Sequence, residues 1–499
     1  MTARPAVIVV GGGIAGLVAA RDLAANAAVT LIDAAAVLGG KVASTTFRGR
    51  PLDRAPDAFI TRNPSAFELC HALGLGEELI TPSAATAAIW SRGRLRPFPA
   101  GLAIGIPTDP IALLRSGIVS PLAAARSALD ALLPGRVPSS LVDDARAGAA
   151  DPTVGALVGR RLGRAVVDAL VDPLIGGINA GDVDALSFVA ALPQLAPLIA
   201  GRRRVARALR PAPPPVVRPG KPGSIFAGLE RGLGSLADAL EADLVRLGVT
   251  IRRDMAIDSL ARSADGKWRI AGALADGIVL ATPADAAARI LEGIEPELAT
   301  ELRAIPYAGV ATVTLAWNDR DVPPSTGAAL AAIARRRDRP SGPNGPRAPS
   351  EGSAAVLPGS GVLVPRGRGH LITAATFTST KWPRSANRGE VVVRASAGRY
   401  GDDRALALEP DALVDAVRSD LTTILGITAL PLEVHVERWP ASFPQYIPGH
   451  LARVGRIRVL TERLGAIALC GAAYDGIGIP ACIEGGHLAA ATVTETLAR

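Results

Sequence analysis

The sequence predicts an α/β fold that opens with a Rossmann-like unit, and three observations support this prediction. The first is the short apolar run Ala6–Val10, which leads directly into a glycine-rich turn. The second is the run Val29–Asp33, which has the pattern of another strand and ends in an acidic residue. The third is a change from Ala/Leu-rich sequence at 109–200 to alternating, β-branched sequence at 305–318 and 361–400. Strand, glycine turn, helix and strand within a short stretch are typical of a parallel sheet that binds a nucleotide.

The remaining elements follow from the same patterning. Two stretches rich in proline or glycine predict loops, a Pro-rich linker at Arg210–Gly223 and a mobile loop at Arg335–Gly352. The predicted elements are, in order, a helix at Leu17–Ala25, a helix within 60–80, mainly helices at 109–200, a helix and then a strand at 225–262, a strand at Gly277–Ala281, an antiparallel sheet at 305–318 and 361–400, a strand at Ala466–Cys470 and a last helix at His487–Ala498.

The composition is that of a globular protein. The chain has 499 residues, of which 49% are hydrophobic and 20% are charged, so two or three ordered domains are expected. The three cysteines form no CxxC pair and the five histidines form no HExxH spacing, which argues against a disulfide framework and against a metal centre. No apolar stretch is long enough to span a membrane, so we expect a cytoplasmic protein that is soluble or peripheral to the membrane.

The charge balance is basic. The chain has 54 Lys and Arg residues against 46 Asp and Glu residues, which gives a net charge of +8. Basic residues do not alternate with aromatic ones, and this argues against nucleic acid as a partner. A basic protein suits a polyanionic substrate or an acidic membrane surface.

The glycine-rich turn has the spacing of a dinucleotide-binding loop. Gly11 permits the tight turn, Gly13 lets the backbone approach a pyrophosphate, and Gly16 lets the helix pack on the strand. Asp33 lies 20 residues after Gly13 and is expected to accept hydrogen bonds from ribose hydroxyls. The residues assigned to the cofactor here are Gly11, Gly12, Gly13, Ile14, Ala15, Gly16 and Asp33.

A second glycine pair, Gly39-Gly40, follows the second strand and precedes Lys41. Such a pair is a feature of flavoproteins of the amine-oxidase type, and a basic residue at this position can reach the cofactor phosphates. Together with the first motif, the pair indicates FAD rather than NAD. Gly40 and Lys41 are therefore added to the cofactor-binding residues.

Six further segments carry a more specific signal. They are Pro56-Asp57-Ala58-Phe59, Ile106-Pro107-Thr108-Asp109, Asp172-Pro173-Leu174-Ile175-Gly176-Gly177-Ile178-Asn179-Ala180-Gly181-Asp182, Lys381-Trp382-Pro383, Phe443-Pro444-Gln445-Tyr446-Ile447-Pro448-Gly449-His450 and Gly471-Ala472-Ala473-Tyr474-Asp475-Gly476-Ile477-Gly478-Ile479-Pro480. In this order they resemble the oxygen-dependent, FAD-containing protoporphyrinogen and coproporphyrinogen oxidase family. The resemblance is greatest to the coproporphyrin-forming branch of Gram-positive bacteria and covers the chain from Val7 to about Val493.

The resemblance implies three structural units. A Rossmann-like FAD-binding domain is assembled from separate segments, a substrate-binding domain is built on a mixed sheet, and a helical domain is inserted between them. The implied boundaries are 1–60, 224–285 and 430–499 for the FAD-binding domain, 61–94, 206–223 and 286–429 for the substrate-binding domain, and 95–205 for the helical insertion.

The resemblance also implies site residues. For the flavin they are Ala55, Pro56, Asp57 and Ala58 along the isoalloxazine, Ile257 near the adenine, Trp439 beside the flavin, and Ile477, Gly478 and Ile479 at the turn that meets the ring. Asn179 is next to the expected tetrapyrrole cavity. Candidate ligands of the substrate propionates are Arg62, Arg94 and Arg96, because a guanidinium group can pair with a carboxylate through two hydrogen bonds. The chain departs from the family at Ala55, usually Gly, at Asn179, usually aromatic, and at Ala481, usually acidic. No catalytic base and no metal ligand is assigned.

The implied activity is oxidation of coproporphyrinogen III to coproporphyrin III in haem biosynthesis, with dioxygen as the acceptor. Three alternatives stay open: a protoporphyrinogen IX oxidase, another amine-oxidase-fold flavoprotein, and a non-catalytic binding protein of the same fold. A peripheral membrane contact and a transient contact with a downstream haem-pathway enzyme are the further partners that this interpretation allows.

Overall fold

The computed structural model describes residues 4–84, 86–210, 224–337, 356–367 and 369–499. Its strands are β1 Ala6–Val10, β2 Ala28–Ile32, β3 Ser44–Phe47, β4 Arg50–Asp53, β5 Phe59–Ile60, β6 Leu79–Ile80, β7 Ala87–Ser91, β8 Arg94–Pro97, β9 Leu102–Ala103, β10 Ile106–Pro107, β11 Phe226–Leu229, β12 Thr250–Arg252, β13 Ala261–Arg262, β14 Trp268–Ile270, β15 Ala273–Ala275, β16 Gly277–Leu280, β17 Tyr307–Asn318, β18 Gly361–Leu363, β19 Ile372–Phe377, β20 Glu390–Ala397, β21 Glu433–Pro444 and β22 Ile467–Leu469.

The helices include a run from α3 to α11 that no strand interrupts. They are α1 Ile14–Leu23, α2 Ser65–Ala72, α3 Pro110–Ser116, α4 Pro121–Ala128, α5 Leu141–Ala147, α6 Val154–Leu162, α7 Arg164–Val166, α8 Gly177–Asn179, α9 Phe188–Ala191, α10 Ala196–Ile199, α11 Val205–Ala208, α12 Gly234–Arg246, α13 Ala284–Leu291, α14 Pro296–Arg303, α15 Pro324–Arg337, α16 Thr378–Lys381, α17 Arg404–Ala407, α18 Pro410–Leu425, α19 His450–Glu462 and α20 Ile479–Ala498. A π-helix, Val167–Gly176, joins α7 to α8.

A five-stranded parallel sheet with the order β12-β2-β1-β16-β22 forms the first unit. Strand β1 is buried on both faces, because Val7 and Val9 pack with α1, α12 and α20 while Ile8 and Val10 pack with α13, α14 and α19. Burial on both faces explains why the strand is a continuous apolar run. The predicted Rossmann-like fold is confirmed.

A seven-stranded sheet with the order β21-β17-β20-β19-β18-β7-β8 forms the second unit. Its pairs are antiparallel except β18 with β7, so the sheet is mixed. One face packs on α17 and α18 through side chains such as Leu315, Val393 and Leu421. The alternating patterns at 305–318 and 361–400 therefore correspond to one sheet.

The region from Pro110 to Ala208 is mainly helical, as its composition predicts, and surrounds its own apolar cluster, which includes Leu170 and Phe188. The π-helix contains Pro173, whose ring cannot fit a regular α-helix. Wide turns of this kind often mark functional sites. Among the described residues, no helix is long and apolar enough to cross a membrane.

Several predicted boundaries differ from the structure. Strand β21, 433–444, belongs to the seven-stranded sheet, and helices α13 and α14 pack on the five-stranded sheet, which shifts both boundaries of the predicted substrate-binding domain. Strand β11 precedes the helix of the 225–262 stretch. The last helix begins at Ile479 rather than His487, because the glycines before His487 permit close helix packing instead of forming a turn. A Cβ at Gly486 would lie 2.5 Å from the Ala15 carbonyl oxygen on α1.

Of the two predicted loops, the linker at Arg210–Gly223 lies outside the described residues apart from Arg210. In the Arg335–Gly352 stretch, residues 335–337 end helix α15, and the rest lies outside the described residues. The backbone prediction for 335–337 is therefore wrong, since the helix extends past the start of the polar stretch.

Candidate active site

The glycine loop between β1 and α1 leaves a cleft lined by backbone. Gly11 has a φ of +105°, and its N–H donates to the Ile32 carbonyl at 2.8 Å. A Cβ at Gly11 would lie 2.7 Å from the Ala281 oxygen, and one at Gly16 would lie 1.8 Å from the Gly11 oxygen. A Cβ at Gly13 would instead meet no atom of the described residues within 4 Å. Gly11 and Gly16 are thus needed for the fold, whereas Gly13 faces open space.

Helix α1 begins at this open space without a side-chain cap, because Gly13 stands at its N-cap position. The N–H groups of the first helical turn, at Ile14, Ala15 and Gly16, have no partner within the helix. Their partial positive charge makes the helix start a site for an anion such as a diphosphate.

Asp33 closes the side of the cleft at the end of β2. Its carboxylate accepts hydrogen bonds from the backbone N–H groups of Gly12 and Ala35, and it keeps lone pairs for a further donor. The Asp33 carbonyl accepts from Met255 N–H at 3.0 Å, which brings the 255–257 stretch beside it. Ile257 packs at the edge of the neighbouring apolar cluster. The structure therefore places Asp33 and Ile257 on the same side of the cleft.

The second glycine turn brings Lys41 to the cleft. A Cβ at Gly40 would lie 3.4 Å from Gly13 Cα, so the two glycine turns are in contact. Burial lowers the pKa of Lys41, and the nearby Cys482 offsets this only in part. None of the described carboxylates forms an ion pair with Lys41. An unpaired, half-buried cation beside an uncapped helix start favours an anionic ligand.

A second helix start lies on the other side of Lys41. Helix α20 begins at Ile479 with Gly478 at its N-cap position and no side-chain cap. A Cβ at Gly471 would meet nothing within 4 Å, so the turn that precedes α20 also borders open space. Because Cys482 in the first turn of α20 neighbours Lys41, the predicted residues Ile477, Gly478 and Ile479 adjoin the glycine loop.

The loop Ala55–Ala58 is fixed by a buried cluster around Asp57. The Asp57 carboxylate accepts from Lys381 Nζ at 2.9 Å and from Trp382 Nε1 at 3.1 Å, and Arg394 Nη2 lies 3.5 Å away. Burial by itself raises the pKa of Asp57, but Lys381 and Arg394 outweigh it and lower the pKa to about 2. This carboxylate is committed to tying the Ala55–Ala58 loop to the seven-stranded sheet. Ala55, Pro56, Asp57 and Ala58 would therefore meet a cofactor through backbone and small apolar groups.

Trp439 on β21 lies next to the same loop. Its Nε1 donates to the Arg54 carbonyl at 3.4 Å, and the Arg54 guanidinium lies 5.4 Å from the centre of its ring. Arg54 also pairs with Glu437, with N–O distances of 2.7 and 3.0 Å. Trp439 is half-buried, so part of its ring stays open to a ligand.

The candidate substrate residues lie in separate elements. Arg62 and Arg94 are exposed, the first after β5 and the second at the start of β8. Arg96 is half-buried, and its Nε donates to the Ser91 carbonyl at 3.4 Å. Its guanidinium packs against Gly117 at the end of α3, where helix carbonyls attract a cation. This packing gives Arg96 a structural role and weakens its assignment as a propionate ligand. The Asn179 side chain donates to the Ile175 carbonyl at 2.8 Å.

The sequence analysis missed a charged cluster built by the Asp172–Asp182 segment. Buried Asp172 accepts from Arg399 Nη1 at 3.2 Å and lies 3.5 Å from Arg366 Nη2, while Arg366 Nη1 donates to Asp182 at 2.6 Å. Burial raises the pKa of Asp172, and the two arginines offset this only in part. The cluster borders a cavity of about 150 Å³ and ties the helical region to the seven-stranded sheet. The two acidic residues of the motif, Asp172 and Asp182, were the only sign of this cluster in the sequence. Their arginine partners lie about two hundred residues further along the chain.

Comparison with known proteins decides the family. The family of flavin containing amine oxidoreductases matches residues 14–494 of the chain. The chain belongs to this family. Its cofactor is a flavin and its activity is that of an oxidoreductase, so both predictions are confirmed.

Several members of this flavoprotein family are similar over nearly the whole chain. The coproporphyrinogen III oxidase of Mycobacterium tuberculosis is 32% identical over 500 residues, covering 98% of this chain and 97% of that protein. The coproporphyrinogen III oxidase of Bacillus subtilis is 29% identical over 501 residues, covering 97% and 96%. A crystal structure of an Exiguobacterium protein, provisionally assigned as a protoporphyrinogen oxidase, has a TM-score of 0.81 at 29% identity and covers 99% of this chain and 100% of that one.

The cleft fits the flavin that the family implies. Its open space at Gly13, its two uncapped helix starts and the unpaired Lys41 suit the phosphates, and Asp33 suits a ribose. The structure brings together Gly11–Gly16, Asp33, Gly40, Lys41 and Ile477–Ile479 around this cleft. The Ala55–Ala58 loop and Trp439 lie together on the side toward the seven-stranded sheet, and their contact with the flavin stays a prediction.

Proposed function

We propose that this protein is an FAD-dependent oxidase that converts coproporphyrinogen III to coproporphyrin III in haem biosynthesis. The reaction removes six electrons and six protons from the macrocycle, and three dioxygen molecules take them up as three hydrogen peroxides. The observation that carries the proposal is the similarity to coproporphyrinogen III oxidases over 98% of the chain. The backbone-lined cleft at Gly13 supports it, since no described atom would lie within 4 Å of a Cβ there and the backbone is open to a phosphate.

A bound flavin supplies the two-electron oxidation chemistry, and the chain supplies binding, orientation and exclusion of water. Lys41 and the N–H groups at the start of α1 hold the phosphates, and Asp33 accepts from the ribose. The backbone of Ala55–Ala58 and of Ile477–Ile479 borders the ring. Removal of hydrogen from a porphyrinogen requires no protein nucleophile, and we assign no residue as a general base.

We place the macrocycle against the face of the seven-stranded sheet that carries Thr312, Ser396 and Ala374. These residues are register partners on neighbouring strands, and each is only half-buried. Their small side chains leave room for a large planar substrate. Arg394, two residues before Ser396 and on the same face, contacts Asp57, so this face adjoins the loop assigned to the flavin. With the macrocycle placed here, we propose that the middle segment of the FAD-binding unit extends to residue 305 and that its last segment begins near residue 445.

The substrate should be the tetrapropionate porphyrinogen rather than the divinyl one. Coproporphyrinogen III carries four propionates and protoporphyrinogen IX carries two, so cationic donors near the cavity mouth favour the former. Exposed Arg62 and Arg94 are the donors that we propose for this role, while a peripheral membrane contact and a contact with a downstream enzyme remain predictions. Protoporphyrinogen IX is the second candidate substrate, favoured by the assignment of the Exiguobacterium relative.

The decisive experiment offers each porphyrinogen, prepared without oxygen, to the flavin-loaded protein and follows porphyrin fluorescence. We expect kcat/KM to be higher for coproporphyrinogen III than for protoporphyrinogen IX. In Arg94→Ala, kcat/KM should fall more for coproporphyrinogen III than for protoporphyrinogen IX. Arg92→Ala is the matched control, because Arg92 is exposed on the same β7–β8 turn. Equal or reversed kcat/KM values at matched ionic strength would contradict the proposed substrate.

A further inference from the structure

The turn that follows α8 is held through three successive carbonyl groups of its own, each of which accepts a hydrogen bond from a donor outside the turn. The Asn179 carbonyl accepts from Gln445 Nε2 at 3.0 Å, and the Ala180 carbonyl accepts from the Tyr400 N–H at 2.8 Å. The Gly181 carbonyl accepts from Arg366 Nη2 at 3.3 Å. The three donors come from three different connections of the seven-stranded sheet. We refer to these three hydrogen bonds as the carbonyl clamp.

The clamp stabilises a backbone conformation that this sequence would not adopt by itself. Ala180 has a φ of +45°, in the left-handed region that residues with a Cβ rarely occupy. Within the turn, Gly181 N–H donates to the Gly176 carbonyl at 2.8 Å. Such a strained residue persists only where its surroundings determine it, and it often marks a functional site.

Gln445 is the member of the clamp whose side chain has no other evident function. It is fully buried, and its amide nitrogen donates to both Asn179 and Phe443 carbonyls, the second at 3.1 Å. Its Oε1 has no hydrogen-bond partner among the residues that the structure describes, and a Cβ at Gly181 would lie 2.9 Å from it. A buried acceptor without a partner is costly, so the two donors are what this position requires.

The position of Gln445 links the two sides of the proposed active site. Strand β21 carries Trp439, beside the Ala55–Ala58 loop, and Gln445 follows directly after that strand. At the other end of the clamp, Gly177 and Ile178 face outward, and a Cβ at Gly177 would meet nothing within 4 Å. Strand β21 thus connects the exposed Gly177–Ile178 turn to Trp439, which lies on the side assigned to the flavin.

We propose that Gln445 is a positioning residue that fixes Gly177–Asn179 as one wall of the macrocycle pocket. This inference rests on the proposed function, because it takes a porphyrinogen as the ligand of that pocket. Gln445 acts through the backbone of the turn and does not itself touch the reacting atoms. Loss of its two donors should let the turn relax and should weaken macrocycle binding more than the turnover of bound substrate.

The first test uses Gln445→Met, which keeps the length and removes both donors. We expect faster amide hydrogen exchange at residues 176–181, a KM for coproporphyrinogen III about tenfold higher, a similar increase in the Kd of coproporphyrin III measured by fluorescence quenching, and little change in kcat. Thr461→Val is the control, since it removes a buried hydroxyl that bonds Ile457 within α19, away from the turn. That variant should change neither exchange at 176–181 nor the KM.

A second variant covers failure of the first to fold. Gly181→Ala adds a methyl group that meets the ends of the Leu186 and Gln445 side chains at 2.7 and 2.9 Å, so it displaces the clamp without removing it. We expect the same direction of change in KM and in porphyrin Kd.

The outcomes separate the two proposals. Unchanged exchange at 176–181 in folded Gln445→Met would overturn the clamp, and faster exchange with unchanged KM and porphyrin Kd would overturn the positioning role. If the unmodified protein binds and oxidises neither porphyrinogen, the proposed function fails and the positioning role fails with it. In that case the exchange measurement still reports whether Gln445 holds the turn.

Discussion

Gly13 and Gly16 lie three positions apart in the same motif, and we expect their replacement to affect different properties: flavin affinity at Gly13 and stability at Gly16. Gly13 has φ −71° and ψ 173°, an extended conformation that any residue adopts, and its Cβ would meet no protein atom. Gly13→Val should therefore change the free energy of unfolding of the flavin-free protein by no more than about 0.5 kcal/mol. Its side chain would occupy the space assigned to the diphosphate, so we expect flavin affinity to fall at least a hundredfold, or about 3 kcal/mol.

Gly16→Val is the matched comparison. Its Cβ would lie 1.8 Å from the Gly11 oxygen, a backbone atom that cannot move without distorting β1. Overpacking of this kind costs about 1–3 kcal/mol or more, so this variant should be unstable with or without flavin.

The assay for both glycine variants is direct. Urea unfolding of each flavin-free protein gives the stability, and titration with FAD followed by visible absorbance gives the affinity. Full flavin occupancy in Gly13→Val would refute the assignment of the cleft. Equal destabilisation of the two variants would refute the reasoning from the open space at Gly13.

Three further predictions follow from the same site. Lys41→Met should weaken FAD binding about tenfold. Burial lowers the pKa of Lys41, so in the unmodified protein FAD affinity should fall at alkaline pH as Lys41 loses its proton, and in Lys41→Met this fall should be absent. FAD titrations between pH 7 and 10 check both expectations. Asp57→Asn should lower the free energy of unfolding by about 3 kcal/mol, because Lys381 loses its buried partner, and Lys381→Met in the same chain should restore part of it in urea unfolding. In the unmodified protein this contribution is present above pH 3.8 and is lost as the pH falls toward the folded-state pKa of about 2. Trp439→Ala should reduce flavin retention more than the melting temperature, whereas a drop in melting with unchanged FAD affinity would make the residue part of the core only.

The parts of the fold that could be predicted are those encoded over short distances in the chain. The run Ala6–Val10, the glycine spacing and Asp33 lie within 35 residues, and each residue type is required by local geometry. The boundary predicted at residue 430 separates β21 from the strand it pairs with, because the pattern of β21 indicates a strand without indicating its partner. Its pairing with β17 joins residues more than a hundred positions apart, such as Val310 with Trp439.

The same limit applies to the site. Asp57 was predicted from a resemblance to contact the cofactor, but its carboxylate pairs with Lys381, which lies 324 positions further along the chain. The structure places the Arg96 guanidinium against the end of α3 rather than in an open pocket, and this position likewise depends on how β8 packs on the helical region. Composition and spacing identify a charged residue, whereas its partner is set by tertiary contacts. Gln445 lies in one of the six segments that carry the resemblance, but nothing in that segment indicates that its side chain bonds the Asn179 carbonyl, 266 positions away.

The packing of α20 on α1 has a consequence for biogenesis. The contact between His487 and Asp22 spans 465 positions, so the helix that completes the cleft is made long after the glycine loop. At typical synthesis rates of roughly 5–20 residues per second, that delay lasts on the order of 20–90 s. During this time the apolar face of α1 that later packs on α20 lacks that partner. Flavin loading should accordingly occur late in synthesis or after it, and nascent chains that end before α20 should not retain FAD.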